Sequence, residues 1–574
     1  MIHAACGSLV ITGQESGADM QNISQKVRSS NSRSDAWALL AAALGAFIIG
    51  VPICSQAVDV QGATEPIWPT KEWQTSSPEE QGMDSKELAE LVDFGARRIL
   101  AAPGVTLSSM LHSLLVVRHG KIVVEAYYAP YAVGIPHTMN SVTKAIISTL
   151  TAIAFKDGLL DSPNHRLLDF FDRRSIANVD DKKEAITVQN LLDMTSGLEW
   201  TEPLDGRPDS LFEWERSPDW VKFILDRPMS RAPGDAFSYN SGNAHLLSAI
   251  ITKLTGMAAL DYAKAKLFAP LGINGLYWRQ DPQGISIGGL GLYLHPRDMA
   301  KIGYLYLRNG EWEGKQLLPS AWIDKVTNAT VNPHAPGDPE LRYGNLFWAL
   351  PQKHVYMANG YHSQLIMVFP DLDVVAVTTS RDFCPLSKLV DSISASVKSA
   401  TALPPDGASA TLLTNKILDV STEKPTGVSA IPGIAAVISG KVYRFHPNAL
   451  NLKSLSLILT DAKPRIDMET DGGELAVVGE PLFLRRYRDE INPRPRFSGP
   501  IGLDGLYRNG ELTEVGVNAA KGTWQNEHTF VIDRLILGQG QPAERWTLTF
   551  DGQKLHVRAE LEGFEISVDG ETEG

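Results

Sequence analysis

Apolar residues along the N-terminal half of the chain follow strand and helix patterns in turn. In residues 111–131, two runs rich in Val, Leu and Tyr flank Gly120, which predicts two strands joined by a turn. From Ser141 to about Leu160, apolar side chains cover more than one face of a helix, so a deeply buried helix is expected there. Gly158 stands where such a helix would end.

Helical patterns and polar loops then fill much of residues 160–325, and strand character returns at residues 364–380. Strands therefore open and close this part of the chain, with helices between them. This order predicts an α+β or α/β domain over residues 75–400, with one sheet built from both ends and an inserted helical subdomain.

The composition and the pattern of apolar residues change near residue 400. Residues 401–432 contain LPPDG, TEKPTG and AIPG, which is linker composition. Beyond it come short strands with turn signals, such as RWTLTF, where Trp546, Leu548 and Phe550 alternate with polar residues. Asp551-Gly552 is typical of a hairpin turn. Residues 433–574 are therefore expected to form a separate all-β domain, a lipocalin-like barrel or a sandwich.

An apolar segment, residues 36–54, follows the basic residues Lys26, Arg28 and Arg33. Basic residues before an apolar stretch predict a secretory signal, here within residues 1–57, with residues 58–74 as a lead-in. The segment is also nearly long enough to span a bilayer, so an uncleaved membrane anchor is the alternative. Export to the periplasm or the medium is expected in either case.

Composition narrows the possible partners. The chain of 574 residues is too long for a single hydrophobic core, so two or three domains are expected. Its net charge of −13 argues against a nucleic-acid partner, because phosphate binding needs a basic face. Its 3 cysteines are too few for a disulfide framework.

Candidate chemistry begins at HTMNSVTKAIISTL, in which Ser141 and Lys144 stand three positions apart at the start of the predicted buried helix. Positions i and i+3 lie on one helix face, so the lysine can take the proton of the serine hydroxyl. The N-terminus of a helix also favours developing negative charge. The alternative is a helix cap followed by a solvated lysine.

Tyr239 is the second candidate. It follows a Pro-Gly turn and comes just before an apolar helix in PGDAFSYNSGNAHLL. A tyrosine close to a lysine can act as a general acid or base. The alternative is a core aromatic residue whose hydroxyl is hydrogen-bonded.

Together these segments resemble the serine β-lactamase and penicillin-binding-protein superfamily in its class C and esterase branch. The resemblance covers roughly residues 75–400 and is closest to members of the 6-aminohexanoate-dimer hydrolase and carboxylesterase types. It implies an antiparallel sheet flanked by helices. The five ordered motifs that carry it are LLVVRHGKIVVEAYYAPY, SVTK, ITVQNLLDMTSGLEW, PGDAFSYNSGNAHLL and GGLGLYLHPRDMAKIGYLYLRNGEWEGKQLLP.

The resemblance implies a role for each candidate. Ser141 would attack the carbonyl and form an acyl-enzyme, while Lys144 and Tyr239 would share the proton transfers. Which of these two is the base stays open. The backbone N–H groups of Ser141 and Tyr361 would form the oxyanion hole.

Two departures from the family pattern bear on the substrate. Ala358-Asn359-Gly360 stands where the family has Lys-Thr-Gly or His-Thr-Gly, so a cation that helps to hold a substrate carboxylate is missing. Ser241 stands where Asn is usual, and its hydroxyl has a shorter reach than an amide. Both changes indicate a smaller or neutral ester or amide substrate.

For the other candidate catalytic residues, the neighbouring sequence gives less support. GISIG at residues 284–288 matches the G-x-S-x-G nucleophile motif, but a polar stretch precedes it and no helix start follows, so Ser286 is expected in a Gly-rich turn. His137 and His362 could each contact substrate or be structural. No metal-binding spacing is found, and neither a metal nor another cofactor is expected.

The sequence thus predicts an exported serine hydrolase that acts on a small-molecule ester or amide through an acyl-enzyme. A true β-lactamase or a D-Ala-D-Ala carboxypeptidase is the alternative enzyme. A catalytically inactive protein that binds a ligand or partner through the C-terminal β-domain is the alternative from another class.

Overall fold

The computed structural model describes residues 66–102, 105–108, 111–202, 210–335, 339–381, 385–470, 496–539, 544–561 and 564–572. The predicted signal or anchor segment at residues 36–54 lies outside these ranges. Residues 58–65 of the predicted lead-in also lie outside them. The described residues from Ile67 onwards belong to one compact unit.

One sheet of eight strands organises the first half of the described chain. Its strand order is β1-β5-β4-β15-β14-β13-β12-β11. The strands of this half are β1 (Gln74–Thr75), β2 (Arg98–Ala102), β3 (Val105–Ser108), β4 (Leu111–Arg118), β5 (Lys121–Tyr127), β6 (His137–Thr138), β7 (Tyr277–Trp278), β8 (Leu292–Leu294), β9 (Glu311–Trp312), β10 (Lys315–Gln316), β11 (Arg342–Gly344), β12 (Phe347–Leu350), β13 (Val355–Gly360), β14 (Gln364–Phe369) and β15 (Val374–Ser380).

The sheet joins the two ends of this domain, as predicted. β15 pairs with β4 in antiparallel register, with Val375 opposite Val117. All neighbours in the sheet are antiparallel except β1, which runs parallel to β5. The side chains of β4, β14 and β15 are buried throughout, which explains their continuous apolar runs.

Helices lie before, between and after the strands of this sheet in the chain, and several of them pack against it. They are α1 (Ser85–Gly95), α2 (Val142–Lys156), α3 (Asp181–Glu184), α4 (Val188–Leu192), α5 (Ser210–Arg216), α6 (Trp220–Leu225), α7 (Ser241–Thr255), α8 (Ala259–Ala263), α9 (Pro296–Leu307), α10 (Ser320–Thr327), α11 (Leu386–Ser396), α12 (Gly407–Ser421) and α13 (Ile434–Ile438). α2 to α10 lie between β5 and β11 in the chain, which confirms the inserted helical part.

Two of these helices show how the sequence positions them. α9 lies against β14 and β15, where a Cβ on Gly303 would come within 2.6 Å of Val375 Cγ1. Glycine at this position therefore allows the helix to approach the sheet closely. α2 is buried from Val142 to Ala154, which confirms the expected deep burial, and Gly158 after its end has a φ of +73°.

In the described part of residues 442–572, ten strands form a second, antiparallel sheet that nearly closes into a barrel. A bridge between Gly502 and Lys521 connects the segments next to its two edge strands, so the arrangement is a barrel and not a sandwich. Its strands are β16 (Val442–Phe445), β17 (Leu452–Ile458), β18 (Arg465–Thr470), β19 (Arg496–Pro500), β20 (Arg508–Thr513), β21 (Gly516–Trp524), β22 (Thr529–Leu537), β23 (Glu544–Asp551), β24 (Lys554–Leu561) and β25 (Phe564–Thr572).

The segment between the two sheets is not wholly extended. α12 lies within residues 401–432 and packs against α1. Lys416 of α12 donates to Asp93 of α1 at 2.7 Å, and Leu413 is buried. The Pro- and Gly-containing stretches that suggested a linker lie on either side of this helix.

Candidate active site

Ser141 stands at the N-terminus of α2, where the chain turns sharply out of β6. Asn140 before it has a φ of +45°, and the Asn140 side-chain amide donates to the Tyr361 carbonyl at 3.1 Å. Because α2 is almost wholly buried, this terminus is held in the interior of the domain. The backbone N–H groups of the first helical turn lie beside the serine, where they can stabilise negative charge.

Lys144 lies one turn further along α2 and reaches back to the serine. Its Nζ atom is 2.9 Å from Ser141 Oγ and 2.8 Å from the carbonyl oxygen of Gly289. The lysine is 1% exposed. The lysine is therefore buried beside the serine, and the alternative of a helix cap followed by a solvated lysine is wrong.

Tyr239 completes the cluster from the segment before α7. The Lys144 Nζ atom lies 4.8 Å from the centre of its ring. The Tyr239 ring stacks on Trp348 of β12 with ring centres 6.2 Å apart. Burial, followed by the nearby Glu202 carboxylate, raises the pKa of Tyr239, so its hydroxyl keeps its proton at neutral pH.

The end of β13 comes directly against the turn that carries Ser141. A Cβ on Gly360 would lie 2.4 Å from the Met139 carbonyl and 3.2 Å from the Val142 nitrogen. Only glycine permits this approach. Asn359 before it is buried. Tyr361 after it is 38% exposed, and its carbonyl accepts from Asn140, the residue next to Ser141.

Ser241, the first residue of α7, is buried next to the same cluster. A Cβ on Gly289 would lie 2.8 Å from Ser241 Cβ. Its hydroxyl donates to Glu202 Oε1 at 2.7 Å, and its backbone N–H donates to Glu202 Oε2 at 2.9 Å. Ser241 thus links the start of α7 to an acidic side chain.

Glu202 is the residue that sequence reasoning missed. Its carboxylate also accepts a hydrogen bond from Trp200 Nε1 at 2.9 Å. It places a negative charge near Tyr239. The only sequence signal was its position shortly after the TSGL stretch, and an acidic residue in a polar loop is common.

The other sequence candidates lie in different settings. Ser286 is fully buried, and its hydroxyl accepts from the Leu260 backbone N–H at 3.0 Å. His137 is buried and lies 2.8 Å from His112, ring nitrogen to ring nitrogen. His362 stacks on Tyr361 in the turn after β13, with ring centres 3.8 Å apart. Ser286 therefore has a structural contact, whereas His362 lies beside the cluster.

The C-terminal barrel contacts the strand that leads into Ser141. The Thr138 backbone N–H donates to the Gly538 carbonyl at 2.7 Å, and the Tyr293 hydroxyl donates to Gln539 Oε1 at 2.6 Å. Ile135 packs in a small apolar cluster with barrel residues that include Val517 and Leu537. The barrel is therefore in direct contact with the segment just before the candidate nucleophile.

Among the residues that the structure describes, no group of three or more His, Cys, Asp or Glu side chains could hold a metal ion. Nor does any single described helix have the length and apolar character needed to cross a bilayer. The helices Ser241–Thr255 and Ala259–Phe268 are long and apolar enough only when taken together, and the chain bends by 73° between them.

Comparison with known proteins places this geometry in a family. A curated relative, the 6-aminohexanoate-dimer hydrolase of Paenarthrobacter ureafaciens, is 22% identical over 287 residues, which are 47% of this chain and 72% of that protein. The octameric penicillin-binding protein homologue from Pyrococcus abyssi is 15% identical with a TM-score of 0.40, and covers 79% of this chain and 95% of its own.

A further solved structure, EstCE1, is described as a hydrolase with promiscuous acyltransferase activity. It is 16% identical with a TM-score of 0.41, and covers 59% of this chain and 99% of its own. The family model described as Beta-lactamase matches residues 97–390, about half of the chain. The matched range includes Ser141, Lys144, Tyr239 and the strand that ends at Gly360. The chain therefore belongs to the β-lactamase family, as its motifs indicated.

Proposed function

We propose that the protein is a serine hydrolase that cleaves a carboxylic ester or amide through an acyl-enzyme on Ser141. The observation that carries the proposal is the position of Lys144 Nζ, 2.9 Å from Ser141 Oγ and 2.8 Å from the Gly289 carbonyl. In the structure the Nζ atom donates to both oxygens. Once the amine has given up a proton, it keeps an N–H bond to the Gly289 carbonyl and its lone pair can face the serine hydroxyl.

In the first step, the Ser141 proton moves to Nζ while Oγ bonds to the substrate carbonyl carbon. The resulting oxyanion accepts hydrogen bonds from the backbone N–H groups of Ser141 and Tyr361. The carbon–oxygen or carbon–nitrogen bond of the substrate then breaks, and the leaving group receives a proton from the Lys144 and Tyr239 pair. Water attacks the acyl-enzyme in the same manner and regenerates Ser141.

The raised pKa of Tyr239 supports a division of labour between the two proton carriers. Because its hydroxyl keeps its proton at neutral pH, Tyr239 acts as a hydrogen-bond donor and acid, and Lys144 acts as the base. In this proposal Lys144 is therefore the base and Tyr239 the acid, the two roles that the motifs left open.

The charges near the serine support a substrate without a carboxylate. Ala358 stands at the position where related enzymes carry a cation, and Glu202 adds a negative charge on the Tyr239 side. A substrate carboxylate would be repelled there. A neutral ester or amide avoids this repulsion, whereas β-lactams and D-Ala-D-Ala termini carry the disfavoured group.

The testing experiment is hydrolysis of p-nitrophenyl butyrate by the wild-type protein, Ser141→Ala and Ser286→Ala, each checked for folding by circular dichroism. We expect Ser141→Ala to be inactive and Ser286→Ala to retain the wild-type rate. Activity lost only in Ser286→Ala would refute the assignment of the nucleophile. An inactive wild type that forms no acyl-enzyme with any activated ester would favour a binding protein. Nitrocefin turnover comparable to ester turnover would favour a β-lactamase.

A further inference from the structure

The carbonyl that holds Lys144 belongs to a hairpin, residues 279–291, that lies flat against α7. The Arg279 and Gly291 backbones are joined at 2.9 Å, which closes the hairpin. A Cβ on Gly288 would lie 2.0 Å from the Ala244 carbonyl of α7. The contact with α7 therefore determines where the next carbonyl, that of Gly289, is placed.

A buried pair of polar side chains connects α7 to this hairpin. His245 Nδ1 accepts a hydrogen bond from the Gly288 backbone N–H at 3.4 Å, and Nε2 lies 3.1 Å from Asp281 Oδ2. Because Nδ1 accepts, the ring proton is on Nε2 and is donated to Asp281. Neither side chain has any exposed surface.

Asp281 is itself held by the turn of the hairpin. Its Oδ1 atom accepts from the backbone N–H groups of Gln283 at 2.9 Å and Ile285 at 2.8 Å. The orientation of His245 is thus fixed from one side by Asp281. On the other side, the Trp214 and Trp220 rings pack against it, with ring centres at 5.2 Å and 5.8 Å.

Such a pair is costly to bury if packing is its only task, because apolar side chains of similar volume would need no hydrogen-bond partners. Its bonds are directional and end at Gly288, the residue immediately before the carbonyl that binds Lys144. We propose that His245 and Asp281 are positioning residues that hold the Gly288–Gly289 backbone and thereby orient Lys144 toward Ser141. This inference rests on the proposed function.

The test uses His245→Leu and Asp281→Asn in the full-length protein with p-nitrophenyl butyrate. Active sites are counted by stoichiometric reaction with diethyl p-nitrophenyl phosphate, so that kcat refers to functional serines only. We expect kcat to fall about 10- to 100-fold while KM stays within about twofold, because a small displacement of a catalytic group mainly affects the chemical step. His245→Asn should recover part of the loss, since its Oδ1 can accept from the Gly288 N–H.

Ser248→Ala is the matched control. Ser248 is also buried on α7 and donates to the same hairpin, through the Ser286 carbonyl at 2.6 Å, but away from Gly289. We expect it to lower Tm without changing kcat. If His245→Leu lowers kcat no more than Ser248→Ala does, the pair is only structural and the inference is wrong. If His245→Leu does not fold, the kcat of Asp281→Asn is compared with that of Ser248→Ala in its place.

The two proposals fail in different ways. An active Ser141→Ala variant would refute the proposed function itself. An inactive Ser141→Ala together with fully active His245→Leu and Asp281→Asn would refute only the positioning role.

Discussion

Lys144 Nζ lies 2.9 Å from Ser141 Oγ on a side chain that is 1% exposed. The Gly289 carbonyl, from a hairpin distant in the chain, holds the amine in this place. The serine and the amine are therefore presented to each other before any substrate arrives, and the free energy of binding is not spent on arranging them.

Replacing Lys144 by Met should remove the base while keeping a long, unbranched side chain. We expect kcat/KM for p-nitrophenyl butyrate to fall about 10²- to 10⁴-fold. Lys183 provides the control, because it is also 1% exposed and its Nζ donates to the Ala177 and Leu225 carbonyls at 2.8 Å each. Lys183→Met should lower Tm and leave kcat unchanged. More than a tenth of the wild-type kcat/KM in Lys144→Met would contradict the prediction.

Replacing Glu202 by Gln should make the site more tolerant of anionic substrates. We expect kcat/KM for the p-nitrophenyl monoester of glutaric acid to rise about 10-fold relative to p-nitrophenyl butyrate, because a like-charge repulsion is removed. Trp200→Phe is the control, since it removes a hydrogen bond to Glu202 and keeps the carboxylate charge. If Trp200→Phe changes the ratio of the two kcat/KM values as much as Glu202→Gln does, the charge of Glu202 is not the cause.

Replacing Gly360 by Ala should displace the end of β13 from the serine turn, because the new Cβ would meet the Met139 carbonyl at 2.4 Å. We expect kcat for p-nitrophenyl butyrate to fall about 10²-fold as the Tyr361 N–H moves away from the oxyanion. Gly433→Ala adds a methyl group in open space and should be neutral. A Gly360→Ala enzyme with normal kcat would exclude this strand from the oxyanion hole.

The barrel contact predicts that the C-terminal domain affects catalysis. Gly538 has a φ of +99°, and a Cβ there would lie 2.2 Å from the Pro136 carbonyl. Gly538→Ala should weaken the bond to Thr138 and lower kcat about 10-fold, since Ser141 follows only three residues later. Gly552→Ala is the control, because it also has a positive φ, +60°, but no neighbour within 4 Å. Equal kcat values in the two variants would show that this contact is dispensable.

The buried His112 and His137 pair predicts a dependence of stability on pH. Burial lowers the pKa of His137 to about 4 and holds the pKa of His112 well below its usual range. The unfolded chain takes up protons near pH 6.5, whereas the folded chain does not. The free energy of unfolding should therefore decrease as the pH falls from about 6.5 to about 4.

Urea unfolding at several pH values in this range measures the effect. His137→Asn should reduce the slope of unfolding free energy against pH. His446→Gln, at an exposed position, should not change it. A slope that is identical in the wild type and His137→Asn would show that this pair does not titrate as expected.

Local patterns were sufficient for much of the fold. Gly120 and the runs around it predicted β4 and β5, and the apolar residues after Ser141 predicted the burial of α2. Alternating residues such as Trp546 and Leu548 predicted the all-β C-terminal half. These features depend on periods of two or about 3.6 residues, which neighbouring positions encode directly.

Local patterns could not decide between a barrel and a sandwich, nor did they predict α12. Closure depends on whether the two edge strands of the sheet, β19 and β20, come together, as the bridge between Gly502 and Lys521 shows, and the pattern of a single strand does not specify this. α12 carries an amphipathic surface that packs on α1, but the Pro- and Gly-containing stretches around it dominated the composition.

For the site, the sequence alone determined which serine, lysine and tyrosine to consider, because Ser141 and Lys144 are one helical turn apart and family motifs surround Tyr239. Only the tertiary structure decided that Gly289 holds the amine, that Glu202 adds a charge, that Gly360 closes on the serine turn and that the barrel contacts Thr138. Each of these contacts joins residues far apart in the chain. Their proximity results from the packing of whole elements, which local periodicity does not specify.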